Sequence, residues 1–148
     1  MNQHPYLRAY MAGITVPTAF LLVIMTGFFI ARHVYAVPIP IERVIVFPMA
    51  ILPNLFGVWN ILYVRLSQDR RISIGAHGAL LPFVLIPIAL TLATSLGFLT
   101  LTPQGLVWFQ ALSVPYRFLV VIIPGAVVVY YLVWKHLVGF LNRLLGIA

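Results

Sequence analysis

Four long apolar stretches without a single carboxylate decide what this chain can fold into. The only two acids, Glu42 and Asp69, fall in short connections, and the basic residues gather at the stretch ends. A water-soluble domain carries about 25% charged residues. Here the share is 7%, against 63% hydrophobic, with a mean hydropathy of +1.08. So few charged side chains cannot cover an aqueous surface, and the solvent for most of this surface is lipid.

A membrane-crossing helix needs about 20 apolar residues. Residues 9–31, 44–64, 78–101 and 116–138 each meet that length. Hydrocarbon offers no water to backbone amides, so each crossing has to satisfy its own hydrogen bonds, and helices follow. The expected fold class is all-α, an integral membrane four-helix transmembrane bundle with proline-kinked helices, in one transmembrane domain over residues 1–148. The small residues of Val34-Tyr35-Ala36 raise the alternative of a cleaved leader. The first stretch exceeds the roughly 7–15 residues of a signal core, however, and Arg32 and His33 follow it, so a retained span is expected.

Orientation follows from Lys and Arg. Arg8, Arg65, Arg70, Arg71, Lys135 and Arg143 lie on one side of the four-span arrangement, and Arg32, Arg43 and Arg117 on the other. The excess puts both termini in the cytoplasm, with a bacterial inner membrane as the expected setting. The net charge of +7 does not signal nucleic acid, because the cations are scattered singly where lipid headgroups begin. The chain has no cysteine, which excludes disulfides, thiolate nucleophiles and thiolate-held iron–sulfur clusters.

The connections carry turn chemistry. Pro38-Ile39-Pro40 imposes an extended turn, and Glu42 then suits the positive start of the second helix. Ser67-Gln68-Asp69 reads as a turn. Thr102-Pro103 reads as an N-cap followed by proline at the first helical position. A short interfacial helix through Leu106, Trp108, Phe109 and Leu112 is therefore expected.

Helices in lipid associate through close backbone approach and interhelical hydrogen bonds. The first span offers a narrow face of Ala9, Gly13, Pro17, Phe20, Ile24, Gly27 and Ala31. The second gathers Pro53, Asn54, Gly57 and Asn60, and the third Pro87, Thr91, Thr94, Ser95 and Phe98. These three faces are expected to converge on one interior.

Six prolines fall inside spans: Pro17, Pro48, Pro53, Pro82, Pro87 and Pro124. Arg43-x4-Pro48-x4-Pro53 repeats as His77-x4-Pro82-x4-Pro87 in the next, antiparallel span. Matched proline-interrupted spans are a pointer to a midplane transport site, and Asn54, Asn60, Thr91 and Ser95 are its candidate ligand-binding residues. No acid is available there to couple transport to protons. His77 and His136 are the only pair suited in depth to axial haem ligation, or to a quinone site, and no histidine lies deep in a span. Arg65, Arg70 and Arg71 on one face, and Arg32, Arg43 and Arg117 on the other, are candidate lipid or anion contacts. Ser95 has neither base nor acid near it in sequence, which leaves no catalytic set. The expectation is a non-enzymatic membrane protein with no cofactor or metal, acting by helix–helix association as a homo-oligomer or as a subunit of a larger membrane complex. A small channel or transporter is the second reading, and a haem- or quinone-binding subunit the third.

Overall fold

The computed structural model describes residues 4–39, 41–42, 51–67, 72–110 and 112–147. The chain is mostly helical, with three helical runs long and apolar enough to cross a membrane: Pro5–His33, Ile74–Ser95 and Tyr116–Leu144. The expected second span is represented by a 16-residue helix, and residues 44–50 of it lie outside the described residues.

Helix α1 (Pro5–His33) opens with proline in its first turn, where a missing N–H costs nothing, and closes on Arg32 and His33, which suit its negative end. Helix α2 (Leu52–Ser67) packs along α1. The two backbones touch where Gly13 faces Gly57. A Cβ on Gly13 would stand 2.6 Å from the Phe56 carbonyl oxygen and 2.8 Å from Gly57 Cα. Ala9, Ala12, Gly13, Pro17 and Leu21 are buried. Of the face expected on α1, the part near the N-terminus holds. Gly27 faces open space: a Cβ there would meet nothing within 4 Å.

The third run is broken. Helix α3 (Ile74–Ala79) is capped by Ser73, whose hydroxyl accepts from the Ala76 amide at 3.2 Å. It stops at Leu80, and α4 (Leu81–Ser95) starts with Pro82 in its first turn. Pro82 cannot donate back to Gly78, so the chain restarts there. The expected span of 78–101 is displaced toward the N-terminus, because the far end is a Schellman cap. Gly97 adopts φ +76°, its amide reaches Thr94 O, and the Phe98 amide reaches Ala93 O, both at 3.1 Å.

Residues 99–115 correct the expected interfacial helix and, with it, the all-α reading. They form an antiparallel three-stranded meander of β1 (Leu99–Thr102), β2 (Gly105–Trp108) and β3 (Leu112–Pro115). Leu-Thr-Leu-Thr alternates with the period of a strand. Thr102 caps a turn, not a helix: its hydroxyl donates to Gly105 O at 2.9 Å and accepts from Gly105 N at 3.2 Å, with Pro103 between them. The strand pairings put Leu99, Leu101, Leu106, Trp108, Leu112 and Val114 on one face. Leu99 and Leu106 on that face close a cluster with Ala93 and Phe98 over the end of α4.

Helix α5 (Tyr116–Val133) continues through a π-helical turn (Trp134–Val138) into α6 (Gly139–Leu144). No residue of α5 is buried, whereas Trp134, Val138, Gly139 and Asn142 are. The main core joins Phe56, Leu81, Leu85, Trp134 and Val138. It sits toward the end of the bundle where the start of α1 meets the end of α6, since Arg8 Nη1 donates to Leu145 O at 3.3 Å.

Candidate functional site

The buried polar groups gather at this same end. Asn60 on α2 and Asn142 on α6 are both fully enclosed. Asn60 Nδ2 donates to Asn142 Oδ1 at 2.8 Å, and Asn142 Nδ2 donates back to Asn60 Oδ1 at 3.1 Å. Asn60 Nδ2 also donates to the Ala9 carbonyl at 2.7 Å. One amide pair thus ties α1, α2 and α6 together, at a point where the small side chain of Ala9 lets the helices close.

A second knot joins α2 to α3. The Trp59 indole donates to His77 O at 3.0 Å, and His77 Nε2 lies 3.0 Å from Trp59 O. A carbonyl can only accept, so Nε2 carries the proton in this pairing. The two rings stack with centroids 4.9 Å apart, and Tyr63 and Trp134 flank the imidazole at 5.4 and 5.9 Å. Gly78 lets the Trp134 ring lie directly on the α3 backbone, where any Cβ would collide with it. The Trp134 indole N–H is enclosed and has no hydrogen-bond partner among the described residues.

The four candidate ligand-binding residues are not brought together. Asn60 belongs to the amide pair. Asn54 is exposed and accepts a hydrogen bond from Tyr10 Oη. Thr91 and Ser95 are exposed and turn back onto their own helix, donating to Pro87 O at 2.9 Å and Thr91 O at 2.8 Å. The proline repeat has no structural counterpart among the described residues. Pro82 begins a helix while Pro87 lies within it, and Pro48 falls outside what is described.

The two histidines are likewise apart in role. His77 is buried with Nε2 engaged, whereas His136 is exposed on the side of its helix away from Trp134 and Val138. The pair does not present two facing imidazoles. No group of three or more His, Cys, Asp or Glu side chains that could hold a metal occurs among the described residues.

Among the candidate lipid or anion contacts, Arg43, Arg70 and Arg71 lie outside the described residues. Arg65 is exposed in the last turn of α2, and Arg117 lies over the Phe118 ring, 5.3 Å from its centroid. Arg32 pairs with Glu42 at 2.7 Å. The Glu42 carboxyl is held below its ordinary range, first by its own backbone amide and then by the Arg32 hydrogen bond.

Sequence reasoning missed Asn142. Its signal was an amide eight residues beyond Trp134, on a stripe with Val138, in a segment otherwise built from apolar residues and cations. The chain matches no family model, and no curated protein or solved structure shows significant similarity to it.

Proposed function

We propose that this chain is a polytopic membrane subunit that works by lateral helix association, as a homo-oligomer or as an accessory component of a larger membrane complex. The observation that carries this reading is a division of labour between the two halves of the bundle. At the terminal end, the buried amides and imidazole bond to one another or to backbone. Away from it, no residue of α5 is fully buried and none of α1 beyond Leu21 is, among the described residues, and a Cβ on Gly125 or Gly27 would meet nothing within 4 Å. Small residues on a helix face let a second helix approach closely, and in lipid that packing is a main driving force. The charge distribution supports cytoplasmic termini, and the meeting of α1's start with α6's end supports their lying on the same side. Among the described residues, no geometric observation favours the transport or the haem reading.

The test is the size of the assembly in lipid. Wild-type protein in nanodiscs is expected to cross-link to itself or to a co-purified membrane partner through cysteines placed beside Gly125 or Gly27. Gly125→Leu or Gly27→Leu should weaken that cross-linking without lowering thermal stability. A wild type that stays monomeric and partner-free at every protein-to-lipid ratio sinks the proposal.

A further inference from the structure

Beyond the crossing at Ala9 and Asn142, α1 and the C-terminal helical run diverge and leave an apolar groove of about 440 Å³. Thr15, Val16, Ala19 and Val23 form one wall, and Leu137 and Leu141 belong to the other. The only hydroxyl there, on Thr15, is already bonded to Met11 O at 2.7 Å, so the lining offers a ligand no free polar group. We propose that this groove holds one acyl chain of an anionic phospholipid, drawn from the leaflet on the side of the chain termini.

Depth and charge select this occupant. Arg8, Thr15, Ala19 and Val23 recur at helical spacing along one stripe of α1. At about 1.5 Å per residue, Thr15 to Val23 lie roughly 10 to 22 Å beyond Arg8. One leaflet's hydrocarbon is about 15 Å deep, half of the core. With Arg8 at headgroup level, the groove therefore starts at acyl depth and runs to about the bilayer midplane, on the stripe that carries a guanidinium at its outer end. Arg8 uses Nη1 on Leu145 O, one helical turn beyond Leu141 of the groove wall, and Arg143 is exposed on the same helix. The one carboxylate among the described residues, Glu42, is paired with Arg32 at the far end of α1 and stands away from Arg8. A transmembrane helix from a second copy would fill the cleft, but it would bring no negative charge to Arg8.

The experiment is native mass spectrometry of the delipidated full-length protein, titrated with phosphatidylglycerol and, separately, phosphatidylcholine. Wild type is expected to take up one phosphatidylglycerol, about fivefold more tightly than phosphatidylcholine, the factor one arginine near an anionic headgroup supplies. Ala19→Trp, at an exposed wall position, should abolish both adducts. Arg8→Gln should bring phosphatidylglycerol down to the phosphatidylcholine level, and Arg8→Lys should restore the preference. Thr15→Phe blocks the same groove from a second position and decides the matter if Arg8→Gln does not fold. Unchanged binding in both groove-filling variants overturns the proposal. So does a wild-type dimer that Ala19→Trp converts to monomer with no change in bound lipid.

Discussion

Asn60 and Asn142 illustrate how a few polar atoms organise a bundle made of apolar ones. Asn142→Leu leaves the Asn60 side-chain oxygen buried without its donor. The expected loss is about 1–3 kcal/mol, the usual penalty for an enclosed unsatisfied group. Asn60→Leu combined with it should cost less than the sum of the single changes, by about 0.6–1.7 kcal/mol, the range found for hydrogen bonds between membrane helices. Thermal unfolding of the four proteins in one detergent measures this, and strictly additive losses would show that the amides do not act as a pair. Glu42 makes the complementary case at the surface. Because its carboxyl is lowered from an ordinary value of 4.5, its contribution is fully present above that value and is lost as pH falls through the lowered one. An NMR titration of the Glu42 carboxyl should show that depressed midpoint. Arg32→Gln should raise the midpoint only part of the way, since the larger cause, the residue's own amide, remains.

The meander between α4 and α5 shows what one element contributes to placement in the membrane. Both neighbours are candidate spans, so in a bilayer the sheet between them is expected at the membrane surface. Its apolar face ends in two overhanging corners, Leu101 at 59% and Leu112 at 62% exposure, while Thr100 and Ser113 share the opposite face. Spin labels at Leu101→Cys and Leu112→Cys are expected to be shielded from aqueous relaxation agents, and a label at Thr100→Cys to be accessible to them. Equal accessibility would mean that the sheet stands clear of the lipid. This element was also where sequence reasoning failed. Thr102-Pro103 supports a helix start and a tight turn equally well, and the choice rests on the two-residue alternation on either side of it. In α4 the same competition went the other way. Apolar content alone extends the span to Leu101, whereas Gly97, by accepting a left-handed conformation, ends the helix at Ser95.

For the whole molecule, the absence of carboxylates from the apolar stretches was enough to read a helical membrane protein, and the described helices agree with it. The candidate site was far less legible. A helical wheel places Asn60 on a face with Asn54, but the partner of Asn60 comes from 82 positions away, through the π turn that carries Trp134, Val138 and Asn142 inward. Thr91 and Ser95 looked like interior ligands because their hydroxyls were counted as available. In the folded helix those hydroxyls bond to the preceding turn, which is the cheapest way to place such groups in hydrocarbon.

The loop joining the second and third strands has a further consequence. Phe109 and Gln110 both adopt left-handed backbone angles, φ +52° and +57°, at positions where glycine or asparagine would be less strained. What holds Phe109 there is its ring, parked 5.7 Å from Phe98 and 6.3 Å from Trp108, and its amide bonded to Phe98 O at 2.8 Å. Ring and backbone are therefore a single latch. Were the aromatic trio to part, the bend would relax with it, so the turn is expected to give way as a unit and not to fray strand by strand.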